Sequence, residues 1–223
     1  MASQDWFRTG AWDAAARDEF ETRLRRARSD NRPQYLRVKA LALRASGEAV
    51  AAAQLLHRVL REYRDSFDAA FCAGRLGDWA LSGGDAVAAE QHYRQALDIR
   101  PDLNGTTGEV YIGLAEALNA QGRFQDAVQE LNAVPATRLG LNQSICRWNV
   151  ALVDAAWGIG ERQVASEAAT RALALLDAPD QFDRHPGIGR AVLTDERIST
   201  LRAISSGREP TSPPFARRFR RGK

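Results

Sequence analysis

The sequence predicts an all-α fold of antiparallel helical hairpins, and three observations predict it. Glycine recurs at Gly47, Gly84, Gly122 and Gly160, at intervals of 37, 38 and 38 residues. Each is followed five positions later by an alanine, at Ala52, Ala89, Ala127 and Ala165. On either side of each glycine runs a stretch with one apolar face, such as Ala89, Tyr93, Ala96 and Leu97, or Ala127, Val128, Leu131 and Val134. A glycine reaches backbone angles that a side chain would penalise, and an alanine lets two helices approach closely. One such hairpin cannot cover its own apolar surface, so successive units must stack.

In chain order, Asp13 is placed to cap a helix running to about Ser29, and Asn31-Arg32-Pro33 ends it. The repeat helices follow at about 34–46 and 49–63, 68–82 and 86–99, 107–121 and 124–134, and 143–158 and 162–176. Pro101 and Pro135 suit helix exits, because proline lacks a donor and clashes with a preceding helical turn. Thr194 caps a last helix whose Ile198, Leu201 and Ile204 seal the final repeat. The organisation expected is an aromatic arm and helix over 1–32, four repeats over 33–178, a capping segment over 179–206 and a flexible basic tail over 207–223. Trp6, Phe7 and Trp12 are expected to fold onto the first helices, and Trp79, Trp148, Tyr93 and Phe124 to pack inside the repeats.

The units resemble the tetratricopeptide-repeat family. The second fits best, with Leu76-Gly77, Gly84, Ala89, Tyr93, Ala96 and Pro101 at matching spacings. The third supplies Tyr111, Leu114-Ala115, Leu118, Gly122, Phe124 and Ala127, whereas the first and fourth are more degenerate. The resemblance implies hairpins stacked in a right-handed superhelix, with function residing in an extended surface.

Composition narrows the chemistry. The 223 residues hold two cysteines and no run of eighteen apolar residues, which disfavours a disulfide scaffold and a membrane-spanning helix and points to the cytoplasm. The net charge of +3 is uneven: residues 208–223 carry six basic residues and one acid, leaving residues 1–207 at −2. Gly83-Gly84-Asp85 lacks the Lys-Ser/Thr pair of a phosphate cradle. His57, His92 and His185, and Cys72 and Cys146, lie too far apart for a local metal motif. The expectation is therefore a protein without catalytic residues, cofactor or metal.

In the resembled family the first helices of the repeats line a concave surface. Carrying that phase onto this chain puts Leu41, Asp78, Glu116 and Asp154 in one column, so three successive units present an acid at the same register. Arg37, Phe71, Leu81, Ile112, Asn119, Val150 and Trp157 join them as candidate groove residues. Leu41 stands where a carboxylate-clamping repeat needs an asparagine, so the expected partner is a basic peptide or protein segment. Exposed ion pairs contribute only about 0.2–1 kcal/mol each, so apolar anchors must add affinity. The tail interleaves Phe215 and Phe219 with Arg217, Arg218, Arg220 and Arg221, a composition suited to docking into the acidic groove. An alternative role is a nucleic-acid-associated adaptor in which the tail joins Arg23, Arg25, Arg26, Arg28, Arg32, Arg37 and Lys39. The terminal aromatics also leave room for a homodimer.

Overall fold

The computed structural model describes residues 5–101, 107–211 and 213–214. Among them are ten α-helices, two short 3-10 turns and no strand. The four expected hairpins are α2 (Arg32–Ala45) with α3 (Ala49–Glu62), α4 (Phe67–Ser82) with α5 (Ala86–Ile99), α6 (Thr107–Ala120) with α7 (Phe124–Ala133), and α8 (Asn142–Ile159) with α9 (Arg162–Ala174). They are preceded by α1 (Ala14–Arg26) and followed by α10 (Asp195–Ser205).

Each expected turn glycine adopts a left-handed backbone, with φ of 90° at Gly47, 84° at Gly84, 75° at Gly122 and 89° at Gly160. The hydrogen bonds at the four bends are equivalent. The amides of Glu48, Asp85, Arg123 and Glu161 donate to the carbonyls of Leu43, Ala80, Leu118 and Ala156 at 2.8–2.9 Å, and each glycine amide donates to the carbonyl three residues back. This is the Schellman arrangement, which satisfies helix-end carbonyls and requires a residue able to sit at positive φ. The following helix starts at once: the amides of Ala52, Ala89, Ala127 and Ala165 donate to Glu48, Asp85, Arg123 and Glu161. All four of those alanines have no exposed surface, so each marks where two helices close together.

A fifth bend of the same kind ends α10. Gly207 has φ 72°, its amide donates to Ile204, and that of Arg208 donates to Ala203 at 2.9 Å. α10 packs on α9, buries Leu201 and Ile204, and is capped by the Thr194 hydroxyl, which accepts from the Arg197 amide at 3.3 Å. It thus repeats the geometry of a first helix with no helical partner after it among the described residues.

The chain divides into two compact units, one of residues 1–76 and 94–101, the other of residues 77–93 and 102–223. The division passes through α4 and α5. In the first unit the amino-terminal arm folds onto α1 and α2. Trp6 stacks against Phe7, Phe20 and Tyr35 with ring centroids 5.2–5.4 Å apart, and Trp12 meets Phe20 at 5.8 Å. Under the arm, the Lys39 ammonium is 1% exposed and donates to the Thr9 carbonyl, the Thr9 hydroxyl and the Ala11 carbonyl at 2.8–3.0 Å. Its burial lowers its pKa, an effect partly offset by Glu19. Asp13 caps α1 as expected, its carboxylate accepting from the Ala16 amide at 2.8 Å. The helix nevertheless stops at Arg26, because Ala27 turns to extended backbone, and Pro33 opens α2 instead of closing α1.

In the second unit, α6 packs on α7 and α8, α8 on α9, and α9 on α10. Tyr93, 1% exposed, is wedged between two glycines: a Cβ on Gly77 would lie 2.8 Å from its ring, and one on Gly113 would lie 2.4 Å from Cζ. The Leu-Gly pair of the repeat pattern therefore makes room for a tyrosine on the partner helix. Phe124 fills the corresponding space at Gly158, where a Cβ would fall 2.3 Å from its ring. Trp148 donates through Nε1 to the Val134 carbonyl at 2.9 Å, tying α8 to the end of α7.

Candidate functional site

The first helices of the hairpins supply the candidate residues, and each unit is taken by itself. In the first unit, Arg37 of α2 pairs with Asp68 of α4. Its guanidinium lies 4.7 Å from the centre of the Phe71 ring, and that of Arg75 lies 5.1 Å from the same ring. Phe71 is half-buried, stacked by two cations, and Arg37 already has a carboxylate partner.

The second unit holds the three acids of one register. Asp78, near the end of α4, accepts a hydrogen bond from the Tyr93 hydroxyl at 2.8 Å. Glu116 on α6 is bound in fork fashion by Arg147 of α8, at 2.7 Å from Nη2 and 3.1 Å from Nε. The remaining Arg147 amine reaches Glu109 at 3.0 Å, and Glu109 also accepts from the Ser144 hydroxyl. Asp154 on α8 is bound by Arg197 of α10, whose same amine donates to the Val150 carbonyl at 3.2 Å.

The electrostatics join these groups. Burial, then the Asp78 carboxylate, push the Tyr93 hydroxyl far above the usual phenol range, while Arg147 opposes and Glu116 reinforces the shift. Asp78, Glu116 and Arg147 thus act on one phenol. Burial alone would weaken the hold of Arg147 on its proton, but Glu116, Tyr93 and Glu109 more than compensate, so its pKa is raised.

Several expected groove residues lie elsewhere. Ile112 and Val150 have no exposed surface and Leu81 is 9% exposed, which makes them core residues instead of surface anchors. The reason is topological: α6 and α8 have packed neighbours on more than one side, and Arg197 crosses the backbone of α8 at Val150. Glu116 and Asp154, at 6% and 2% exposed, are buried with arginine partners and do not present bare charge. Asn119 is also buried, its amide donating to the Ala151 carbonyl at 2.9 Å. Asp78 and Trp157 are half-buried, and the Arg162 guanidinium covers the Trp157 ring at 3.7 Å. Glu109, with 40% of its side chain exposed, is an accessible acid beside this column.

Sequence reasoning missed Arg197. A usable signal was present: Arg197 stands ten residues before Gly207, as Arg37 stands ten before Gly47 and Val150 ten before Gly160. Aligning Gly207 as a fifth turn glycine places Arg197 on the face one helix beyond Asp154. The tail residues Phe215, Arg217, Arg218, Phe219, Arg220 and Arg221 lie outside the described residues. Of the basic residues proposed to join them, Lys39 is buried under the arm, Arg37 pairs with Asp68, and Arg32 donates to the carbonyls of Ala27 and Arg25.

Two buried atoms on the face lack hydrogen-bond partners, Oδ1 of Asn119 and Nε of Arg197. Asn119 bonds to Ala151 and Arg197 to Val150 and Asp154, so both atoms belong to groups anchored on the same stretch of α8. A buried polar atom left unpaired costs about 1–3 kcal/mol. Among the described residues no group of three or more His, Cys, Asp or Glu side chains could hold a metal ion, and no helix is long and apolar enough to cross a membrane.

The comparison with curated proteins gives no match. A family model described as tetratricopeptide repeat matches residues 80–140, from the end of α4 to the loop before α8. Repeats of this family generally serve as surfaces for protein or peptide partners. With the helical hairpins and their glycine bends already in place, that match identifies residues 80–140 as a tetratricopeptide-repeat segment.

Proposed function

We propose that the protein is a non-catalytic adaptor whose second unit binds a basic peptide, or a basic segment of a protein, along its first-helix face. The observation that carries this reading is the succession of acids on that face: Asp78, Glu109, Glu116 and Asp154 stand on its helices, and Glu109 keeps 40% of its side chain exposed. Arg147 and Arg197 show how the face already accepts guanidinium groups, through carboxylates on α6 and α8 whose remaining surface is small. Asp78 and Glu109 keep solvent access and offer the outer contacts for an incoming cation. Trp157, half-buried at the end of α8, supplies a flat apolar anchor once Arg162 swings away. The free, buried thiols Cys72 and Cys146 suit a reducing compartment, and we place the protein in the cytoplasm.

The reading is tested by measuring the binding of peptides that combine Arg or Lys with an aromatic residue to the full chain and to its Asp78→Asn and Glu109→Gln variants. Each exposed charge pair is worth about 0.2–1 kcal/mol, so each variant should weaken binding by roughly 1.4- to five-fold, with less effect at high salt. Equal affinities for all three proteins would exclude the face. Salt-dependent binding of single-stranded nucleic acid, unaffected by either variant, would instead favour the nucleic-acid role.

A further inference from the structure

Resting on the proposed face, a second inference concerns what occupies it when no partner is bound. We propose that residues 215–223 of the same chain dock on the first-helix face of the second unit, as an internal competitor for the basic partner.

The argument begins where the description of the chain ends. Pro214 is buried, and its carbonyl accepts a hydrogen bond from Nη1 of Arg197 at 2.7 Å. Through its other amine, the same guanidinium holds Asp154 and the Val150 carbonyl. The residue immediately before the tail is therefore fastened, through one side chain, to the acidic register itself. Arg197 is the link: it neutralises Asp154 and anchors the chain at the face.

Charge and reach agree with this placement. Residues 215–223 carry Arg217, Arg218, Arg220, Arg221 and Lys223 and no acidic side chain, five positive charges to set against a face that carries Asp78, Glu109, Glu116 and Asp154. Nine extended residues span about 30 Å. Neighbouring helices pack about 8–10 Å apart, so a chain leaving Pro214 has the length to pass from α8 over α6 to the end of α4, where Asp78 stands. Phe215 and Phe219 add apolar rings among the cations, the combination that the proposed partner carries.

A tether this short holds its segment at an effective concentration in the millimolar range. A segment with an intrinsic Kd of about 0.1 mM would then occupy the face about nine-tenths of the time and weaken an external competitor roughly tenfold. The test uses a fluorescent synthetic peptide of residues 215–223, added to the full chain and to a full-length variant with Arg217, Arg218, Arg220 and Arg221 all changed to Ser. The variant should bind the peptide roughly tenfold more tightly than the wild type. Adding Asp78→Asn and Glu109→Gln to the variant should reduce that binding several-fold.

Equal binding by wild type and variant would overturn docking within one chain, as would no binding to either. So would a wild-type protein that self-associates in sedimentation while the variant does not, since the tail would then dock on a second copy. Binding to the variant that ignores Asp78→Asn and Glu109→Gln would place the tail on another surface. These failures are separable from failure of the adaptor reading, which depends on other basic peptides responding to the face variants.

Discussion

Arg197, ten residues before the bend at Gly207, binds the carboxylate of Asp154, six residues before the bend at Gly160. The pair connects α10 to the register of acids on the preceding first helices, and both side chains are largely withdrawn from solvent, at 12% and 3% exposed. It gives α10 the role of a fifth first helix, supplying the cation that the next unit of the stack would otherwise present.

Removing one partner of a buried pair leaves the other charge uncompensated, typically at a cost of about 3–5 kcal/mol. Arg197→Met should therefore destabilise the protein to urea by about that amount. Combining it with Asp154→Leu should restore much of the loss, because a well-packed apolar pair can replace a buried ion pair. A single-variant loss below about 1 kcal/mol would show that Asp154 is solvated and that α10 is not fastened through this pair.

Two glycines separate the backbone requirement from the packing requirement. At Gly122, φ is 75° and an added Cβ would have open space, so Gly122→Ala should cost only the left-handed backbone penalty of about 1–2 kcal/mol. At Gly113 the added Cβ would sit 2.4 Å from Tyr93, forcing the ring from its place. Gly113→Ala should be the more damaging change, and should also disturb the hydrogen bond from Tyr93 to Asp78. Denaturation midpoints and the ultraviolet absorbance of Tyr93 would report both effects. Equal costs at the two positions would contradict the wedged position of Tyr93.

The contrast between these sites explains what was legible in the sequence. Gly47, Gly84, Gly122 and Gly160 each act through their own backbone and the residues beside them, so a single strand of text carries the whole requirement. The eight repeat helices accordingly begin and end within two residues of their expected limits. Arg147 and Glu116 are 31 residues apart in the chain, and Arg197 and Asp154 are 43 apart. Which arginine of a later helix reaches Glu116 or Asp154 depends on the stacking of separate hairpins, and the register alone gave Asp78, Glu116 and Asp154 equal standing. Ile112 and Val150 were misplaced for the same reason: the family phase puts them on a first-helix face without showing what packs on it.

Alkaline stability should expose the buried thiol of Cys72. Burial, reinforced by Asp68 and opposed by Arg37, pushes its pKa from 9.0 up to about 12. The folded state therefore keeps the neutral thiol while the unfolded chain ionises, so stability from this group is intact below pH 9 and is lost as pH rises from 9 to 12. At pH 10.5 the loss relative to pH 8 amounts to about 2 kcal/mol. Urea denaturation at the two pH values should show a drop smaller by about that amount in Cys72→Ala than in the wild type. An identical drop would mean that the thiol is reached by water in the folded protein.

The most direct measurement of the central claim is the map of backbone amide shifts in nuclear magnetic resonance on adding a short basic and aromatic peptide to full-length protein. The account predicts that the largest changes fall on α6, α8 and the end of α4, centred on Asp78, Glu109 and Trp157, with α7 and α9 nearly silent. Changes concentrated on the second helices, or confined to the first unit around Phe71, would contradict it.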